Sequence, residues 1–310
     1  MKITALNLLV GLNLLTFSCN SPTVKDGAPL DVVAYKLEIE KWHEKRQVDL
    51  KAEDGWLNLV GLFWLKEGSN SFGSGNKNDI VFPAGKIPVH AGTFIVNQGI
   101  VSIEVAPATE ITQRGKPLSN GIIFSPDSAS NAKLEYGSLR WFIIQRDKIV
   151  GIRLRDLESE DVQKFNGIEH YPIDPAWRIE ATVEPSVEPK MIDITNVLGQ
   201  TTSQASQGTV VFTINETAYR LDALDGGKDE LFVIFGDHTN KKETYPAGRY
   251  IYIKRPDETN RTIIDFNKAY NPPCAFTAFA TCPLPPKQNI LNVEIPAGEK
   301  NYSGPEHETH

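Results

Sequence analysis

Thr262-Ile263-Ile264-Asp265-Phe266 runs directly into Asn267-Lys268-Ala269-Tyr270-Asn271-Pro272-Pro273-Cys274, and Cys282-Pro283-Leu284-Pro285-Pro286 follows. The first five residues have the β-branched and aromatic character of a strand. What comes next is neither helix nor central strand, because each proline fixes φ and removes a backbone donor. Five prolines, two cysteines and two asparagines between Asp265 and Pro286 describe a long, rigid, ordered loop hung on a strand end. Ordered polar loops are where sites are built.

Working back from this loop, the chain reads as β almost throughout. Strand-like runs lie at Thr209–Ile214, Tyr219–Leu221, Leu231–Phe235 and Arg249–Ile253 in the second half. In the first half they lie at Asp79–Phe82, Thr93–Asn97, Ile100–Val105, Leu139–Arg146 and Val150–Leu154, after the apolar stretch Trp56–Leu65. Asn97-Gln98-Gly99 and Arg146-Asp147-Lys148 read as hairpin turns. Short strands at such spacing predict sandwiches or barrels. One helix is expected, over about Asp31–Leu50, with Asp31 as N-cap and Val33, Leu37, Trp42 and Val48 on its apolar face. The fold class that follows is mainly β: two tightly packed sandwich- or barrel-like units with an N-terminal amphipathic helix. Trp56, Trp64, Trp141 and Trp177 read as core.

The N-terminus reads as a targeting segment. Met1-Lys2 is a short basic start, and Ile3–Phe17 is mostly apolar but too short and too interrupted for a comfortable membrane span. Ser18-Cys19 after it resembles the lipobox of bacterial lipoproteins. The organisation expected is a lipoprotein signal peptide at 1–18, lipidation of Cys19 and a polar tether over 19–30. A helix plus β unit (31–183), a connector (184–192), a C-terminal β unit (193–300) and a disordered tail (301–310) follow. The resulting location is the cell envelope, with the membrane met through the lipid. The 310-residue chain carries a formal charge of −7, and loss of Lys2 with the leader makes it more negative. An acidic chain without a basic run argues against nucleic acid as partner.

Three cysteines become an even pair once Cys19 is lipidated. Cys274 and Cys282 then have three open readings: a disulfide holding the proline loop, buried free thiols, or ligation and nucleophilic chemistry. Their spacing is not that of a zinc site, and no metal or cofactor is expected.

If Leu231–Phe235, Arg249–Ile253 and Thr262–Phe266 are consecutive strands of a meander, Asp237, Arg249 and Asp265 share one sheet edge. Asp237 and Asp265 are then candidate general bases. Arg249, Asp265, Asn267, Tyr270, Asn271, Asn289 and Glu299 are candidate ligand contacts, with Arg249 as a bidentate anion anchor. The competing reading is that Arg249 pairs with an aspartate and the asparagines cap turns. His90 and His170 read as packed or solvated. Phosphate-loop, GxSxG, HExxH and CxxC motifs are all missing from the chain.

Two resemblances add to this. Asn70–Pro83 with His90–Phe94 is similar to the start of forkhead-associated sandwiches, which implies a sandwich fold only, because the arginine–serine pair that reads phosphothreonine is missing. Gly248-Arg249-Tyr250, Asp265-Phe266-Asn267, Tyr270–Cys274, Thr281–Pro286, Asn289 and Ala297-Gly298-Glu299-Lys300, with Gly55–Leu62 and Gly73-Ser74 earlier, resemble a bacterial family catalogued as domain of unknown function 1684. That resemblance spans Glu38–Lys300 and implies no activity. The function expected is an envelope lipoprotein binding a small polar or anionic ligand, glycans included. A carboxylate-based hydrolase and a structural module are the alternatives.

Overall fold

The computed structural model describes residues 29–128, 132–146, 148–186, 188 and 190–304. The expected leader, Cys19, all but the last residues of the tether, Asp147 of the expected turn and the end of the tail (305–310) lie outside the described residues. Among the described residues, no helix is long and apolar enough to cross a membrane.

Helix α1 spans Val32–Lys51, and the Asp31 carboxylate caps it by accepting from the Val33 and Ala34 amides. The helix is where the sequence places it, but its buried face is different. Tyr35, Ile39, His43 and Leu50 are buried, whereas Val33, Leu37 and Val48 are exposed. Trp42 and Arg46 sit half-buried on the same side. The stripe 35-39-42/43-46-50 has helical period. A purely hydrophobic count misses it because a histidine, an arginine and a tyrosine occupy half of it.

The first half carries β1 (Leu59–Trp64), β2 (Gly68–Gly73), β3 (Ile80–Val81), β4 (Gly92–Asn97), β5 (Ile100–Val105), β6 (Thr112–Gln113), β7 (Lys116–Pro117), β8 (Asn120–Phe124), β9 (Leu134–Tyr136), β10 (Leu139–Arg146) and β11 (Ile149–Asp156). They form two sheets, ordered β1-β11-β10-β9-β6-β7 and β3-β2-β4-β5-β8. Strands alternate inward and outward, as in Trp141, Ile143 and Ile152, Leu154, so each sheet offers one apolar face to the other. Phe72, Phe94, Phe82 and Trp141 meet there, with the Phe72 and Phe94 rings stacked at 4.2 Å. The β4–β5 turn is the expected two-residue hairpin, with Gln98 and Gly99 both at positive φ. Trp64 lies at a strand end and is partly exposed, not core.

A short α2 (Glu160–Lys164) leads to the second half, with β12 (Arg178–Glu184), β13 (Met191–Thr195), β14 (Thr201–Ala205), β15 (Gly208–Ile214), β16 (Thr217–Asp225), β17 (Glu230–Phe235), β18 (Arg249–Lys254) and β19 (Arg261–Asp265). Six of these form a nearly closed barrel, ordered β18-β17-β16-β15-β12-β19. β13 and β14 are a separate hairpin. The expected boundary near 183 falls at the end of β12, whose two neighbours, β15 and β19, both lie beyond it. The expected meander holds for β17 and β18 only. β19 pairs with β12 instead of β18, at the opposite end of the strand order. Phe212, Phe235, Ile251, Ile264 and Phe266 fill the barrel.

The proline loop joins the two halves. Phe276 packs with Leu50 and Leu57, and the Thr277 hydroxyl donates to the Leu59 carbonyl of β1 at 2.9 Å. Truncating buried Ile39 to alanine is expected to cost about 2–5 kcal/mol in chemical denaturation. The same truncation at exposed Leu37 is expected to stay within about 0.5 kcal/mol.

Candidate functional site

The polar residues singled out from the sequence are mostly fasteners. Arg249 is fully buried at the start of β18. It donates to Asp237 Oδ2 at 2.7 Å, to the Ile295 carbonyl at 2.9 Å and to the Ala297 carbonyl. The Asp237 carboxylate also accepts from the Thr239 amide and hydroxyl. Gly248, at φ +94, is required beside this pair, because a Cβ there would lie 2.6 Å from the Phe235 carbonyl and would collide with Pro285.

Asn289 accepts from the Asp222 amide at 2.8 Å and donates to the Asp222 and Ile234 carbonyls, pinning the loop to β16 and β17. Asn267 donates to Tyr35 and to the Asp174 carbonyl, both at 2.9 Å. Asp265 accepts from the Tyr35 hydroxyl at 2.9 Å and does not join Arg249, because β19 lies beside β12. Burial pushes its carboxyl up, against hydrogen bonds from Asn267 and Tyr35. Asn271 donates its amide to Glu299 Oε2 (2.7 Å) and its side chain to the Lys300 carbonyl. Arg46 Nε donates to Glu299 Oε1 at 3.0 Å, and its guanidinium lies 4.6 Å over the Tyr270 ring. Asp237, Arg249, Asn267, Asn271, Asn289 and Glu299 line neither of the two main cavities; Tyr270 lines both and Asp265 one.

Cys274 and Cys282 are free thiols, not a disulfide. The Cys282 sulfur accepts the Cys274 amide at 3.0 Å, and the Cys274 thiol donates to the Ala280 carbonyl at 3.5 Å. Among the described residues, no group of three or more His, Cys, Asp or Glu could hold a metal.

One cavity, of about 660 Å³, opens between the halves. Helix α1 gives it Trp42, Lys45, Arg46 and Asp49; β10 and β11 give Arg146 and Arg153; β17 and β18 give Phe232, Tyr250 and Tyr252; and the loop closes it with Tyr270, Pro273 and residues 280–283. Trp56 completes the aromatic wall. Four cations face one acid, and Asp49 is taken by Lys45 at 2.5 Å. Arg46 is taken by Glu299. That leaves Arg146, on the rim, and Arg153.

Arg153 lies deeper, with its guanidinium 5.5 Å from the Trp56 ring and its buried Nε without a hydrogen-bond partner. Burial, then the like charges of Arg146 and Arg155, push it down to about 10, so it remains a cation at neutral pH. Arg155 is the contrast. It is bound to the Gly55 carbonyl and to Asn58 Oδ1, fixing the loop that carries Trp56.

A second cavity, of about 890 Å³, lies along the open seam between β18 and β19. Its charges are largely paired, Lys268 with Glu38 at 2.7 Å and Arg261 with Glu180 at 3.2 Å. The sequence carries one signal for the first cavity: Ile152-Arg153-Leu154-Arg155 puts two arginines on the outward face of a strand whose other face is core.

A family model described as a protein of unknown function (DUF1684) matches residues 163–300. An uncharacterized protein of Haloarcula marismortui, solved by NMR, is 30% identical over 46% of this chain and 80% of its own, with a TM-score of 0.38. The FhaA FHA domain is 14% identical over 30% of this chain and 97% of its own, with a TM-score of 0.22. A further FHA domain, studied for phosphothreonine-dependent interactions, is 15% identical over 30% of this chain and 92% of its own, also at 0.22. No curated protein matches.

Asp237→Ala, which strands Arg249 in the barrel, is expected to cost about 3–5 kcal/mol. Asp49→Ala on the helix surface is expected to cost under about 1 kcal/mol. Chemical denaturation reads both. His43, stacked on His170 at 4.2 Å, is pushed down from 6.5 to about 4 by burial and by His170. The unfolded chain therefore takes up the proton first as pH falls, so His43 removes stability between about pH 6.5 and 4. The difference between the stability–pH curves of the protein and of His43→Gln should show that slope, and parallel curves would refute it.

Proposed function

The chain belongs to the DUF1684 family of proteins of unknown function, and from that premise we propose that it binds a small anionic ligand in the cavity between its halves. The observation that carries this reading is Arg153, a desolvated cation in the cavity wall whose Nε lacks a partner and whose charged neighbours are the like charges of Arg146 and Arg155. Burying charge without compensation is costly, and an incoming carboxylate or phosphate supplies the missing partner through bidentate hydrogen bonds.

The aromatic walls, Trp42 and Trp56 with Tyr252 and Tyr270, add flat apolar faces suited to a sugar or other ring. A cavity of this size fits a ligand of one to a few rings. A sugar acid within the glycan class meets both demands. The leader-like N-terminus and Ser18-Cys19 support a lipid-anchored place in the cell envelope. The hydrolase alternative finds Asp237 bound to Arg249, away from both cavities, and Asp265 in the wall of the second cavity, where its carboxylate accepts from Tyr35 and Asn267.

Tryptophan fluorescence, titrated with galacturonate, galactose and phosphate, tests the reading. Galacturonate should bind, galactose should bind at least about tenfold more weakly, and Arg153→Gln should erase the difference. Equal binding of the acid and the neutral sugar, or an unaffected Arg153→Gln, would refute it. The mature domain should also gain thermal stability with the acid by mass action.

A further inference from the structure

The floor of the cavity carries chemistry that anion binding leaves unused. Cys282 lines it, and the Cys274 backbone N–H points at the Cys282 sulfur from 3.0 Å. Both residues are free thiols, and the 3.0 Å contact seats the Cys282 sulfur against the Cys274 backbone.

This contact is built rather than incidental. Pro272 and Pro273 fix the chain before Cys274, and Pro283 fixes it after Cys282. The Val197 amide donates to the Cys282 carbonyl at 3.0 Å and the Leu284 amide to the Thr195 carbonyl at 2.8 Å. The Tyr250 hydroxyl donates to the Pro283 carbonyl at 2.7 Å. Thr277 ties the middle of the loop to β1. These independent anchors hold both ends of the segment between the two cysteines, with the Cys282 sulfur 3.0 Å from the Cys274 amide nitrogen.

Arg153 and Cys282 line the same cavity. Burial pushes the Cys282 thiol up.

We propose that Cys274 and Cys282 are a redox-active dithiol that exchanges with a low-molecular-weight disulfide carrying carboxylates, held beside the pair by Arg153 and Arg146. This rests on the anion-binding reading of the same cavity. One sulfur of the pair, ionised, attacks one sulfur of the external disulfide. The other external sulfur leaves as a thiolate and takes up a proton. The second protein thiol loses its proton and attacks the mixed disulfide, releasing the second small thiol. The balance is one external disulfide and two protein thiols giving one protein disulfide and two small thiols. The reverse reaction reduces the protein.

The test uses the reduced protein and two reagents of similar size, dianionic 3,3′-dithiodipropionate and neutral 2-hydroxyethyl disulfide, followed by intact mass and thiol counting. The expected result is loss of the mass of two hydrogen atoms without a lasting adduct. The dianion should react about tenfold faster or more, an advantage that high salt and Arg153→Gln both remove. Circular dichroism and a cooperative thermal unfolding transition show that Arg153→Gln is folded, and the ratio of the dianionic to the neutral rate in that variant is the readout.

No protein disulfide with either reagent, an adduct that persists on one cysteine, or equal rates for the two reagents would overturn the proposal. Suberate, a dicarboxylate of matching length without sulfur, separates the two readings by tryptophan fluorescence. If suberate binds and the dianionic disulfide fails to oxidise the pair, the dithiol alone is refuted. If suberate does not bind, the anion site itself is refuted, and the dithiol proposal with it.

Discussion

The guanidinium of Arg46 against the buried carboxylate of Glu299 is the contact on which the rest of the architecture depends. Arg46 comes from α1, near the start of the described chain, and Glu299 from its end. Between them they hold Asn271, whose amide donates to Glu299 and whose carbonyl accepts from Arg46 at 2.9 Å. The same guanidinium covers the faces of Tyr270 and Phe276. One planar cation thus satisfies a carboxylate, a carbonyl and two rings, which an ammonium could not do. Burial pushes Glu299 up and Arg46 pulls it back, so neither group is comfortable without the other.

That clamp sets the proline loop, and the loop sets the cavity. With Asn271 fixed, Tyr270 presents its ring to Arg46 and to the cavity, and the residues after Phe276 fold across the gap to β1. Asn289 then pins the far end of the loop to β16 and β17. The loop is therefore wall and hinge-pin at once: it seals one side of the space between the halves and prevents them from sliding. The buried Arg249–Asp237 pair plays a parallel part inside the barrel, where its hydrogen bonds to Ile295 and Ala297 anchor the end of the chain that carries Glu299.

Much of this was legible in the sequence. The strand Ile100–Val105 follows from alternation, because a period of two is a property of the strand itself, and Leu139–Arg146 follows from its short aromatic and β-branched run. The prolines around Cys274 and Cys282 announce an ordered loop for an equally local reason. The helix was legible in position and not in orientation: its packed face mixes Tyr35, Ile39, His43 and Arg46, so hydrophobicity points to Val33, Leu37 and Val48 on the solvent side. The polar residues of the loop attracted attention as ligand contacts, but their role is to satisfy a backbone that prolines prevent from forming regular ladders. The first cavity's cations without an acidic partner, Arg146 and Arg153, sit in ordinary outward positions of β10 and β11, where a charge is unremarkable until something covers it.

The sequence by itself determined the β class, most strand positions, the capped helix and the rigid loop, because each is set by interactions among residues a few positions apart. Only the tertiary structure decided that β19 pairs with β12, that Asp237 rather than Asp265 meets Arg249, and that Arg153 enters a shared cavity wall without an acidic partner. Those outcomes depend on which surfaces are brought together over long separations in the chain, and the identity of a residue's partner across a gap is not written in its own periodicity.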